Sequence, residues 1–404
     1  MRKELAFILS ALLLTGCSNN ATKTNYSIGE PMQAIISNAS NSYKNGVLYE
    51  NNDSVYFLSF DLMSSTPLCN KPNCDHKKSD CISKLITNDS TTSTPPIVYH
   101  DKVYYFSYND KIVQGNNGSE TTYEVDGRLS GLDLNTGEVN TVCLLDDMEA
   151  SSTDYLVLQD NLLYFIANNG ALQATDGTWQ YFSTAGKQWI CSVNLDTGDL
   201  TNYGRVNEDE KVDTTLFSVN NSSFGINGNV RIDGVYQNKI YMHYYYVNDE
   251  DSFLKYFEQY NTFPDSDEEM WETSYVIFDI ETKKVSMNVS TETIAATKDH
   301  CIYWDGKQYV DESNEHQNKL KNVPKYKYAA IYDNAVWFSN IQRQYTKVVD
   351  LNSGKTYQLK SGYQSRNIRI LAKLNGDYIV EIFNDDSSIS FEKIPESTLL
   401  EQTS

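Results

Sequence analysis

The amino-acid sequence predicts an all-β protein, a β-propeller of six to eight four-stranded blades with seven favoured. Three observations carry this. Aromatic strands alternate with a period of two between recurring polar turns, and no stretch of comparable length shows the 3.6-residue period of a helix. The third is size: beyond the N-terminal region about 360 residues remain, more than one undivided core usually supports, so repeated units are expected.

The repeat has two halves. One is a strand ending in Asp or Asn followed by a short turn. It occurs as Phe60-Asp61-Leu62-Met63-Ser64-Ser65, Leu132-Asp133-Leu134-Asn135-Thr136-Gly137, Val193-Asn194-Leu195-Asp196-Thr197-Gly198, Phe278-Asp279-Ile280-Glu281-Thr282 and Val349-Asp350-Leu351-Asn352-Ser353-Gly354. Asp and Asn side chains fold back onto nearby backbone and Gly accepts positive φ, so these read as hairpin turns. The other half is a polar turn leading into an aromatic strand, taken as the first strand of each blade. Six such strands begin near Val103, Leu162, Ile240, Cys301, Val336 and Tyr378, and Gly46-Val47-Leu48-Tyr49 makes seven. The Asp/Asn turns lie 72, 61, 85 and 71 residues apart, wider than a compact blade of about 40–45 residues, so loop insertions are expected. The blade starting near Cys301 has no recognisable Asp-Gly turn in its second half. A large β-sandwich, or two smaller β domains, is the alternative. The domain is placed at 41–396 with a C-terminal tail at 397–404, and Gln33-Ala34-Ile35-Ile36 is expected to pair with the last blade and close the ring.

The chain opens MRKELAFILSALLLTGC. Arg2 and Lys3 precede an apolar run, Leu5 to Leu14, too short for a permanent membrane span. Leu14-Thr15-Gly16-Cys17 resembles the lipobox of bacterial lipoproteins. That resemblance makes 1–16 a signal peptide and Cys17 a lipidated (diacylglyceryl, palmitate-type) residue that holds the protein outside the cell on the membrane. Residues 17–40 are Asn/Ser/Thr-rich and read as a flexible tether. An ordinary secretory signal with an unrelated cysteine is the alternative. The formal charge is −21, which disfavours nucleic acid and anionic lipid surfaces as partners.

Cys69, Cys74, His76 and Cys81 form the pattern C-x4-C-x-H-x4-C just after the first turn motif. Three thiolates and an imidazole satisfy a tetrahedral zinc ion, and Pro72 and Asn73 would turn the chain between the first two donors. A disulfide between two of the cysteines, or free thiols, are the competing readings. Cys143, Cys191 and Cys301 stand alone in apolar strands as small core residues. Together, the lipobox, the first turn and CNKPNCDHKKSDC are similar to a family of uncharacterised Gram-positive lipoproteins with a propeller like that of low-density-lipoprotein-receptor-related proteins. The resemblance implies fold and location. The receptors' Tyr-Trp-Thr-Asp repeat does not occur here, so receptor-type ligand binding is not implied.

Catalytic signatures such as Gly-x-Ser-x-Gly, a P-loop or His-Glu-x-x-His do not occur. His76, His100, His243, His300 and His316 are the five histidines, and apart from His76 ordinary solvated or hydrogen-bonded roles are expected for them. An acidic and aromatic insertion carries Asp249, Glu250, Asp251, Asp265, Asp267, Glu268 and Glu269. Between them Leu254, Phe257 and Tyr260 suggest a short amphipathic helix; solvated charge over that packed helix is the favoured reading of the acids, and a cation or ligand loop the alternative. No catalytic residue is assigned. The reading is a non-enzymatic binding or scaffold propeller for a protein or glycan. The alternative is an extracytoplasmic carbohydrate-active hydrolase or lyase with carboxylates in its channel.

Overall fold

The computed structural model describes residues 42–403 apart from connecting stretches, of which 85–96, 180–187, 206–213 and 261–270 are the longest. Cys17, the tether, the ring-closing segment 33–36 and His316 lie outside the described residues, as do Asp265, Asp267, Glu268 and Glu269.

Seven antiparallel sheets follow one another along the chain as blades. Blade 1 is Ser42–Tyr43, Gly46–Glu50, Val55–Ser59 and Ser64–Pro67; blade 2 is Ile97–Tyr99, Lys102–Gln114, Glu120–Asp133 and Val139–Leu144. Blade 3 contains Val157–Gln159, Leu162–Asn169, Gln188–Asn194 and Leu200–Arg205, and blade 4 contains Asn229–Tyr236, Lys239–Val247, Trp271–Asp279 and Lys284–Ser286. Blade 5 has three strands, Glu292–Ala296, Cys301–Trp304 and Tyr309–Asp311. Blade 6 is Tyr328–Tyr332, Ala335–Ser339, Tyr345–Asp350 and Thr356–Leu359, and blade 7 is Asn367–Leu374, Asp377–Phe383 and Ile389–Pro395. First strands of blades 3 to 6 lie against one another in succession, which places them around the central axis.

The aromatic strands of the repeat are therefore second strands, not first. Each is preceded by an inner strand, as short as Ile97–Tyr99 in blade 2, and the polar turn is the hairpin between the two. His100, Asp160, Gln237 and Asn375 sit at positive φ in these hairpins. The Asp/Asn motif closes the third strand onto the fourth. Asp133 Oδ1 accepts the N–H groups of Asn135 (2.9 Å) and Thr136 (3.0 Å), and Asp350 Oδ1 accepts the N–H of Ser353 at 2.6 Å. Gly137, Gly198 and Gly354 then take the left-handed position, which Lys283 fills in blade 4. In blade 1 the motif is two residues out of register. Ser59 Oγ accepts the N–H of Leu62, and Met63 holds the positive φ, so Asp61 is not the capping residue.

Apolar residues on both faces of each blade pack against its neighbours, which gives seven seams. Leu48, Val98 and Val103 join blades 1 and 2; Phe106 and Phe165 join blades 2 and 3; Ile166, Val230 and Val276 join blades 3 and 4. Tyr241, Ala296 and Cys301 lie between blades 4 and 5, Ile302 and Phe338 between 5 and 6, Trp337 and Val380 between 6 and 7. Val47 and Leu58 of blade 1 meet Ile379 of blade 7, and the ring is closed. Residues 397–403, expected as part of a C-terminal tail, belong to the domain. A helical turn, Glu396–Leu399, leads into Leu400–Thr403, which adds a fifth strand to blade 6. Leu399 and Leu400 bury themselves in the seam between blades 6 and 7.

Candidate metal centre and the insertion face

Strand direction sorts the connections between two faces. Hairpins joining first to second strands and third to fourth strands emerge together on one face and hydrogen-bond to each other. The N–H groups of Leu134, Leu195, Ile280 and Leu351 donate to the carbonyls of Asp101, Asn161, Asn238 and Asn334. All these turns are short. Connections from second to third strands, and from each four-stranded blade to the next, emerge on the opposite face, and the longest insertions belong to this set, whereas the chain leaving three-stranded blade 5 after Asp311 starts from the turn face. They include the 67–97 connection holding the Cys/His cluster, the hairpin Thr214–Val219/Ser222–Asn227, and helix α1, Glu250–Tyr260. Helix α1 lies against the Thr214–Val219 strand, so two insertions from different connections touch.

Cys69, Cys74, His76 and Cys81 come together on this insertion face, with one donor atom from each lying within 4.8 Å of the others. The Cys74 and Cys81 sulfurs are 3.5 Å apart, and Cys81 Sγ is 3.5 Å from His76 Nδ1. A disulfide bond needs about 2.05 Å, and all of these cysteines are free thiols. Around a metal with bonds of about 2.0–2.3 Å, tetrahedral edges come to about 3.3–3.8 Å, and the Cys74–Cys81 and Cys81–His76 pairs have that spacing. Asn73 and His76 both adopt positive φ, 59° and 57°, turning the chain between the donors; Pro72 lies outside the described residues. Cys81 is buried. Burial pushes its thiol up, but contacts with Ser83 Oγ (3.1 Å), His76 and Cys74 outweigh this and bring it down to about 6. Cys74 goes the other way: the His76 N–H draws it down, and burial together with Cys81 and Cys69 raises it above the ordinary thiol value. Low-pKa sulfur is ready to ligate a metal.

Asp249 caps helix α1, accepting the N–H of Ser252 at 3.0 Å and its hydroxyl at 2.7 Å, which holds its carboxyl below the ordinary range. Glu250 and Asp251 form the first helical turn. The buried face of the helix centres on Phe253, while Tyr260 is exposed, its ring tilted against that of Tyr256 at 4.6 Å. Cys191 and Cys301 are fully buried, and burial drives both thiols upward, Cys191 to about 12, which leaves them inert; Cys143 is half-buried.

A polar seam escaped the sequence reading. Between blades 4 and 5, buried Asp233 meets His243 Nδ1 and lies 3.4 Å from Arg231 Nε. Nearby, Tyr241 donates to Glu312 Oε2 at 2.6 Å, Lys239 reaches Glu312 at 3.3 Å, and buried His300 pairs with Asp311 at 3.0 Å. Burial opposes the proton on His300, but Asp311 prevails and raises its pKa. The available signal was two charges at alternate positions, Arg231-Ile232-Asp233, inside an apolar strand. His100, by contrast, sits exposed in a hairpin, 4.0 Å from Asp196.

No family model matches the chain, and no curated protein matches it. Several solved structures are similar in shape. An ulvan lyase, a polysaccharide lyase, is 11% identical over 91% of this chain and 94% of its own, with a TM-score of 0.39. Oligogalacturonate lyase from Vibrio parahaemolyticus is 10% identical over 88% of each chain, with a TM-score of 0.31. An acylaminoacyl peptidase from Pyrococcus horikoshii is 9% identical over 76% of this chain, with a TM-score of 0.36, and the match spans about half of that protein, 51%.

Proposed function

We propose that this chain is an extracytoplasmic lipoprotein, anchored through Cys17, whose propeller binds a protein or glycan without chemistry of its own. The observation that carries the reading is the sorting of connections: tight capped turns occupy one face and long insertions the other. An adaptable face on a rigid ring is how repeat folds build recognition surfaces. Two large apolar side chains are exposed at that end, Tyr260 at 56% and Leu144 at 59%. Tyr260, beside Tyr256, offers the amphipathic aromatic area that suits sugar rings and protein loops.

A second reading, a carbohydrate-active hydrolase or lyase, is favoured by His243 backed by buried Asp233, since an oriented histidine is what a general base requires. One experiment separates the two. The protein is passed over an immobilised polyuronate, β-glucan, chitin and peptidoglycan, and over surface-protein extracts, with Tyr260→Ala as the comparison. Retention that falls at least tenfold in Tyr260→Ala, with the polymer left intact, supports binding. Shortened polymer lost in His243→Ala but not in Tyr260→Ala assigns the enzyme instead. Labelling with an alkyne fatty acid tests the anchor: label persisting in Cys17→Ser would refute it.

A further inference from the structure

We propose that Cys69, Cys74, His76 and Cys81 bind one Zn²⁺ in a closed, four-ligand site that fastens the connection between blades 1 and 2 onto the insertion face. The proposal is independent of what the propeller binds.

The donor set selects the metal class. Three sulfurs and one imidazole nitrogen in a tetrahedral cluster suit zinc, whereas magnesium and calcium require a shell of oxygens. Four protein ligands leave no position for water or substrate, so the site is structural. The surrounding chain is built to need such a site. Leu68, just before the first donor, and Ile82, just after the last, both pack into the seam of blades 1 and 2 with Leu48, Val55 and Leu132. The segment between them is Asn-, Lys- and Asp-rich and, apart from Pro72 and the cysteines themselves, offers no apolar side chain. It also holds two non-glycine residues, Asn73 and His76, in the left-handed region, a conformation sustained only when other interactions fix it. A metal supplies that fixing. Ser83 stands where an outer hydrogen bond to a ligand is expected, its Oγ 3.1 Å from Cys81 Sγ.

The test is metal analysis of the full chain, extracted in detergent without chelator, beside Cys74→Ser, His76→Ala and the conservative His76→Cys. The expected result is one zinc per wild-type chain, lost in Cys74→Ser and His76→Ala and kept in His76→Cys. Cobalt replacing the zinc should give the intense visible bands of tetrahedral thiolate coordination, and chelation should lower the melting temperature until zinc is restored. These wild-type readouts stand even if a variant fails to fold. A metal-free chain two hydrogens lighter, with Cys74 bonded to Cys81, would overturn the proposal. So would one zinc per chain persisting in the folded Cys74→Ser variant.

Discussion

Replacing Gly234 by alanine should wedge blades 4 and 5 apart. Gly234 lies at φ +154° in the bulged inner strand of blade 4, and a Cβ there would sit 2.0 Å from the carbonyl oxygen of Ala296, on the inner strand of blade 5. An ordinary contact is about 3.4 Å, so the strands must separate by roughly 1.4 Å, the kind of overpacking that costs about 1–3 kcal/mol. The same movement would stretch the Tyr241–Glu312 hydrogen bond from 2.6 Å to about 4.0 Å, beyond bonding range. Losing a bond to a charged acceptor costs about 1.5–3 kcal/mol. Together these give roughly 3–6 kcal/mol, or a melting temperature lower by about 4–8 °C for a chain of this size. Gly306→Ala is the control. It has positive φ (+95°) but no atom within 4 Å of its Cβ, so only backbone strain of about 1–2 kcal/mol applies. Scanning calorimetry of both variants decides the matter. If Gly234→Ala melts no lower than Gly306→Ala, the close approach of the two blades is not what makes this glycine necessary.

Two further outcomes follow from buried and capping charges. Arg369 pairs with Glu381, which is buried; burial raises the Glu381 pKa and Arg369 opposes the rise. Arg369→Leu should cost about 3–5 kcal/mol in urea unfolding, and Arg369→Leu/Glu381→Leu should recover most of it; a single variant as stable as wild type would refute the pairing's importance. The N–H groups of Thr136 and Thr282 hold Asp133 and Asp279 below the ordinary carboxyl range, and Asp350 is lowered too because Ser353 outweighs its partial burial. These depressed values stabilise the fold above the unfolded pKa of about 3.9, and the stabilisation is lost as pH falls through the folded values. The triple Asp→Asn variant keeps the turns, as Asn194 does in blade 3, and should flatten the acid limb of a melting-temperature profile. An unchanged limb would show that other groups set it.

The sequence revealed what local chemistry determines. Asp133, Asn194, Asp279 and Asp350 announce their turns because the capping bond forms within three residues. Ser59 performs the same task with a hydroxyl beside a misleading Asp61, so the register of blade 1 was displaced. Inner strands such as Ile97–Tyr99 are three residues long, too brief for alternation to show. The Cys/His cluster was legible because its donors lie close in sequence. The seam of Asp233, His243, Tyr241 and Glu312 was not, because its members belong to different strands and two blades, and only the ring brings them together. The helix in the acidic insertion was foreseen, but its buried side is set by Phe253 rather than by Leu254 and Tyr260.

The closing seam gives the ring its mechanical character. Six of the seven seams join blades adjacent in sequence, and a chain of such contacts resembles a solenoid, able to zip from any point and to fray at its ends. The seventh sets Tyr49 against Phe391, at 4.7 Å, and Val47 against Ile379, across most of the chain. Once that contact forms there is no terminal blade left to fray. Opening any one seam then requires its neighbours to shift, so seven modest interfaces unfold as a single cooperative unit. Hydrogen exchange in the second strands should accordingly be uniform around the ring, including in the three-stranded blades.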